Sequence, residues 1–353
     1  MALMRALTVF TSISKWNKDV IYSRVSESLD LFRDFVKKFN FWTFRVVVPP
    51  IPRNMEIESY IKIVHDILSS FPKDILMQLI PVEIYDAKLI TKILDTIDDY
   101  PNLYATIKCS TIKHLDSITS ALIEYKGDVN TFTKFSITIG SWIQTPYFPS
   151  TSNYMNVNGF SIALRYVDLV YEAIVRSRYE KLREFIDYVL RVSNIIEENT
   201  KYEFLGLDLS ISPWMGESVA KLVEDIIKAP FGTPGTLTTL KTLNDFIIRI
   251  AREWNVKTIG FNEVMLPVAE DNTLRLRVRE RLLRLGDLIN YSLICVAGLD
   301  LVALNRDEKL ISKTLGDMYT VYEVKGKTIG VRIIPVDMDY VETRFGPLHR
   351  IEI

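Results

Sequence analysis

Asp208, Ser210 and Ser212 alternate through residues 206–213, so a strand here turns all three side chains to one face before ending at Pro213. A carboxylate with hydroxyls at the carboxyl end of a parallel strand stands where α/β sheets and barrels bind ligands. A polar strand end that satisfies nearby amides accounts for the same residues. Gly232, Thr233, Gly235 and Thr236 form a second cluster, just ahead of a helix that carries Asn244 and Asp245. Two glycines and two hydroxyls before free helical amides can cradle an anion, and a capping turn is the simpler account. The lysine and spacing of a P-loop are missing, and there is no G-x-G-x-x-G.

The third cluster, Glu263, Glu270 and Asp271, follows an expected strand. With Asp208 these carboxylates would supply a general acid and base, and Asp208, Glu270 and Asp271 would offer oxygen ligands to a divalent cation. A solvated acidic loop is the competing account. Residues 216–220 approximate a nucleophile elbow, and Ser218, Asp300 and His349 fall in hydrolase order. The closing glycine is absent, which favours Ser218 as a helix cap. His65 and His114 have no metal-ligating companion at motif spacing. Arg275, Arg277, Arg279, Arg281 and Arg284 share their helix with an apolar stripe of Leu274, Val278, Leu282 and Leu285, as a solvated arginine face does.

These residues need a frame. Apolar β-branched runs at 44–48, 75–80, 104–108 and 135–139 alternate with helical periods at 28–39, 57–70 and after Thr111, a βαβ rhythm that builds a parallel sheet. Residues 142–158, polar and aromatic with two prolines, interrupt it as a long loop that would close over the site. Helices are expected at 163–177, 180–197, after Ser218, at 237–254 and through 274–296. Strands are expected at 204–210, 258–261, 299–304 and 328–335. None of the 14 glycines precedes Gly127, so the N-terminal half reads as scaffold.

The 353 residues, 48% apolar, fit one α/β domain. It divides into an N-terminal half (1–140), a loop and helical connection (141–200) and a C-terminal half carrying the clusters (201–353). With 43 basic against 44 acidic residues, no overall field would gather nucleic acid or a membrane surface. Cys109 and Cys295 form neither a disulfide framework nor a metal knuckle, which fits a reducing cytoplasm. Arg5 inside the apolar start favours a first strand over a signal peptide, and no apolar run approaches the ~20 residues of a spanning helix. Scarce glutamine beside abundant Ile, Lys, Glu and Arg hints at a thermophilic source.

Taken in order, Gly206-Leu207-Asp208-Leu209-Ser210, Ser218-Val219-Ala220, Gly232-Thr233 with Gly235-Thr236, Leu243-Asn244-Asp245, Pro267-Val268 with Glu270-Asp271, Gly298-Leu299-Asp300 and Val331-Arg332-Ile333-Ile334-Pro335 resemble an uncharacterised protein family. Its fold is similar to the barrel of pyruvate formate-lyase-like glycyl radical enzymes. The resemblance implies a roughly ten-stranded α/β barrel of two parallel half-barrels, surrounded by helices, and a homo-oligomer. It implies no reaction. Arg344-Phe345-Gly346-Pro347 matches a glycyl radical loop only superficially, because proline follows Gly346 and neither cysteine sits on a central finger loop. Trp214, Met215 and residues 262–265 are bulkier than the family tends to place there. The sequence thus leads to a cytosolic barrel enzyme acting on a small polar or anionic metabolite, metal-assisted if the carboxylates converge. The alternative is a non-catalytic ligand sensor or assembly protein, favoured if those carboxylates point apart or are each neutralised by arginine.

Overall fold

The computed structural model of the chain describes residues 2–295 and 298–353. The βαβ rhythm of the N-terminal half is realised as β1 (Leu3–Phe10), α1 (Lys18–Lys38), β2 (Thr43–Val47), α2 (Ile57–Leu68), β3 (Ile75–Val82), α3 (Ala87–Asp99), β4 (Leu103–Cys109), α4 (Leu115–Glu124) and β5 (Phe135–Ile139). Local chemistry explains each repeat. In α3, the Asp86 side chain accepts from the Leu89 amide and caps the first turn, a contact worth about 1 kcal/mol. Ile90, Ile93, Leu94 and Ile97, spaced for one helical face, are fully buried against the sheet, each contributing roughly 1.5–3 kcal/mol.

The second half contains β6 (Gly159–Arg165), α5 (Val167–Arg176), α6 (Glu180–Thr200), β7 (Glu203–Asp208), α7 (Val219–Ile227), α8 (Thr236–Glu253), α9 (Asn272–Arg279) and α10 (Leu285–Tyr291). It ends with β8 (Asp300–Asn305), α11 (Glu308–Lys325), β9 (Ile329–Val336) and the hairpin β10 (Tyr340–Thr343) and β11 (Gly346–His349). Residues 163–165, expected to open a helix, instead end a buried strand, and the helix begins at Val167. The helices expected through 274–296 are α9 and α10, and position 296 lies outside the described residues. The terminal hairpin was not anticipated.

Nine strands form one sheet in the order β7-β6-β1-β2-β3-β4-β5-β9-β8. β1 to β5 run parallel; β6 and β9 join its two sides antiparallel, with β7 parallel to β6 and β8 parallel to β9. The sheet curls strongly. Arg5 of β1 and Arg332 of β9 both reach the Glu270 carboxylate, although five strand steps of roughly 4.8 Å would hold them about 24 Å apart in a flat sheet. One-residue register shifts at Arg5, Leu79, Leu205 and Leu301 add the local bend that such curvature needs.

The ladder does not close, which corrects the expected ten-stranded barrel. Residues 258–261, expected as a strand, do not join the ladder: the segment 258–264 pairs with β7 and its extension only at isolated bridges, Leu207 to Thr258 and Ile211 to Val264. Gly260 and Asn262 have positive φ (85° and 56°), so the segment cannot hold a continuous extended ladder. Gly206 lets it approach, since a Cβ there would stand 2.8 Å from the Thr258 carbonyl carbon. Among the described residues, no helix is long and apolar enough to cross a membrane.

Candidate functional site

A cavity of about 280 Å³ opens inside the curl. Its wall draws Arg5 from β1, Thr43 and Arg45 from β2, Tyr104 from β4 and Arg332 from β9, so the half expected to be mere scaffold contributes much of it. Ser212 and Trp214, beyond the carboxyl end of β7, complete one side, and the turn Arg344-Phe345 between β10 and β11 covers the mouth. Residues 142–158, expected as a lid, are instead partly a wall: Tyr147, Phe148, Pro149 and Ser150 line the cavity. Buried hydrogen bonds hold them there. Gln78 Nε2 donates to the Pro149 carbonyl at 2.5 Å, and the single Tyr147 hydroxyl hydrogen is shared between the Leu164 and Ser210 carbonyls, 3.2 and 3.3 Å away.

Four guanidiniums face two carboxylates in this wall. Glu270 accepts from Arg5 Nη2 at 2.7 Å and lies 3.5 Å from Arg332 Nη2. Burial works to raise its pKa, but the two arginines outweigh it and hold the carboxyl below its ordinary value. Arg332 also forks onto Asp300, with Nε to Oδ1 at 2.5 Å and Nη2 to Oδ2 at 2.9 Å. Although burial opposes it, that carboxylate keeps the guanidinium more basic than usual.

Arg45 is placed differently. It is 7% exposed, donating from Nε to Thr43 Oγ1 at 3.0 Å and from Nη1 to the Pro146 carbonyl at 2.8 Å. No carboxylate among the described residues pairs with it. Burial first, and Arg5 second, lower its pKa to about 10, so it stays charged at neutral pH. Arg344, exposed at the hairpin tip, likewise has no carboxylate partner among the described residues; Nη1 donates to Tyr104 Oη at 3.3 Å.

The four carboxylates singled out as catalytic do not converge. Of Asp208, Glu263, Glu270 and Asp271, only Glu270 lines the cavity, where Ser212 and Asp300 join it. Asp208 is fully buried and accepts from Thr145 Oγ1, Ser210 Oγ and the amides of Ser210, Phe261 and Asn262. Burial raises its pKa against those donors. Its work is to fasten residues 261–262 to the end of β7, and Gly260 makes room, since a Cβ there would stand 2.2 Å from Asp208 Oδ2. Asp271 caps two helices at once: it accepts from Ser218 Oγ and the Val219 and Ala220 amides at α7, and from the Thr273 and Leu274 amides at α9. Ser218 caps α7 through the Lys221 amide, as expected. Glu263 is clamped by Lys325 at 2.7 Å and Lys327 at 2.9 Å.

The proposed divalent-cation set of Asp208, Glu270 and Asp271 is not assembled: among the described residues, no three His, Cys, Asp or Glu side chains are placed to hold a metal ion. The glycine-rich turn is also away from the cavity. Gly232 N donates to Thr236 Oγ1, Thr236 N to the Thr233 carbonyl, and Gly235 stands at the N-cap of α8 with φ 103°. Asn244 ties the Val264 amide to the Ile294 carbonyl, whereas Asp245 pairs with Lys241 on the surface.

Arg45, Trp42, Tyr104 and Tyr147 were not singled out in the sequence, and Arg5, Arg332 and Arg344 were met there without being assigned to a site. A usable signal was present. Arg5, Arg45 and Arg332 each interrupt an otherwise apolar strand, and a charge inside a buried strand requires a polar counterpart.

Fold and cavity together define an α/β protein with a curled mixed sheet around an arginine-lined cavity. The chain belongs to the uncharacterised ACR (DUF711) family, whose model matches residues 54–341. That span includes Tyr104, Glu270, Asp300 and Arg332 but not Arg5, Arg45 or Arg344. A UPF0210 protein of Sulfurisphaera tokodaii is 27% identical over 211 residues, covering 55% of this chain and 47% of that protein. One from Halothermothrix orenii is 31% identical over 154 residues (42% and 34%), and one from Actinobacillus succinogenes is 28% identical over 183 residues (48% and 41%). The matches thus span between a third and a half of the length of these relatives.

Proposed function

We propose that the chain binds a small anionic metabolite in the arginine-lined cavity. Arg45 carries this reading. A buried charge without a counter-charge costs several kcal/mol, and a fold that retains one has a use for an incoming anion. Four guanidiniums against two carboxylates leave the wall with two positive charges in excess, which suits a ligand of about two negative charges.

Of the two roles left open by the sequence, non-catalytic ligand sensing has the better support. Both cavity carboxylates are ion-paired, and Glu263 is held by two lysines. No histidine, cysteine or lysine stands in the described wall to act as a base near neutrality. The opposed directions of the two strand groups support a half-barrel pair of pyruvate formate-lyase-like kind, with residues 258–271 in place of a closing strand. Two free, buried thiols support the cytoplasmic placement.

Thermal unfolding in the presence of inorganic phosphate and of small carboxylates tests the binding reading. A ligand at a hundred times its Kd adds about 2.7 kcal/mol to the stability of wild type. Wild type should be stabilised and Arg45→Met should not; an equal response from both would remove the support.

A further inference from the structure

The aromatic residues of the cavity suggest at first a flat apolar ligand, but their faces are already engaged. Arg5 lies over Trp42, Tyr147 and Trp214 at 5.6, 5.8 and 5.5 Å, Arg45 over Phe148 at 5.2 Å, and Arg344 over Tyr104 and Phe345 at 5.8 and 4.9 Å. Of the seven aromatic side chains in the wall, only Phe261 has no guanidinium stacked on it among these contacts. The rings act as platforms that hold guanidinium planes in place, and a planar donor fixed in advance loses little entropy when it binds an acid group.

The four arginines then divide. Arg5 and Arg332 are spent on Glu270 and Asp300. Arg45 and Arg344 have no carboxylate among the described residues, and they stand at different depths, Arg45 buried and Arg344 exposed at the mouth. Between them run Phe148 and Tyr104, edge to face at 5.2 Å, so each guanidinium has its own ring. The volume, about 280 Å³, lies at the small end of the range for ligand pockets and suits a short molecule.

From this arrangement, which rests on the anion-binding reading above, we infer that the ligand is a compact diacid, one acid group held by Arg45 at the floor and the other by Arg344 at the mouth. Carboxylate and phosphonate or phosphate ends share the required chemistry. The row of two separate cationic stations distinguishes such a molecule from a single phosphate, which one forked guanidinium would satisfy.

Titration calorimetry of the full chain tests this with succinate, 3-phosphonopropionate, butyrate and inorganic phosphate. Wild type should bind one or both diacids at least about tenfold more tightly than butyrate, the difference expected for one added charge-assisted contact. The exposed variant Arg344→Gln should bring the diacids down to the butyrate level and leave butyrate unchanged, whereas Arg45→Met should abolish binding of all four. Butyrate or phosphate binding as tightly as both diacids, or Arg344→Gln weakening mono- and diacids equally, would overturn the diacid inference and leave anion binding standing. No binding of any probe would overturn both.

Discussion

Arg5 and Glu270, 265 positions apart, meet at 2.7 Å in the interior, and the Arg332 guanidinium approaches the same carboxylate from the far side of the sheet. This junction ties β1, β9 and the 3-10 turn Val268–Glu270 across the gap that no ladder spans. Removing one partner of a buried pair leaves the others uncompensated. Glu270→Gln should lower unfolding stability by about 3–5 kcal/mol, read by urea denaturation. A loss under ~1 kcal/mol would mean that the curl is held elsewhere.

The same carboxyl makes a pH prediction with a definite sign. Its folded pKa lies below the ordinary value of 4.5. The stability it contributes is therefore fully present above about pH 4.5 and disappears as pH falls through the lower, folded value. Melting temperature followed downward from pH 5 should fall more steeply in wild type than in Glu270→Gln, and parallel curves would contradict the assignment.

Arg45 predicts the opposite of a usual core substitution. It is buried and lacks a counter-charge among the described residues, so Arg45→Met should leave the ligand-free protein as stable as wild type or raise it by about 1–4 kcal/mol. Urea denaturation without added anions provides the check. A clear loss would show that its bonds to Thr43 and Pro146 carry the fold.

Asp271 and Asp208 are assigned to structure, and their variants should separate stability from binding. Asp271→Ala removes the shared cap of α7 and α9 and should cost about 2–4 kcal/mol, twice a typical cap loss. Asp208→Asn should also destabilise. Neither should change anion affinity, because neither lines the cavity. A selective loss of affinity in well-folded Asp208→Asn would restore the strand-end carboxylate to the site.

Gly260→Ala places a methyl group 2.2 Å from Asp208 Oδ2 at a φ of 85°. It should lower stability by at least about 1–3 kcal/mol, from backbone strain and the displaced carboxylate. A neutral substitution, measured by thermal unfolding, would show that the 260–262 turn relaxes freely.

Much of the frame was legible because period-two and period-3.6 patterns are local. The β2-α2-β3 run, the strand β4, the interruption at 142–158 and the cap at Ser218 all follow from neighbours in the chain, although α3 was not singled out. The parting of the clusters was not legible. Asp208 and Asp271 look alike in sequence, as polar residues beside apolar runs, yet each spends its oxygens on five donors that only the tertiary fold supplies. Strand curvature was hidden for the same reason. Single-residue shifts at Arg5 and Leu301 leave no periodic trace, although they help bring distant strands around one cavity.

Two of the chain's five tryptophans, Trp42 and Trp214, line the cavity beside Arg5, so intrinsic fluorescence reports directly on its occupant. Titration of wild type and Arg45→Met with succinate at fixed ionic strength is the most direct test of anion binding. The account predicts a saturable change in tryptophan emission in wild type that is absent from the folded variant; a linear, unsaturable change, or the same saturation curve in both proteins, would contradict it.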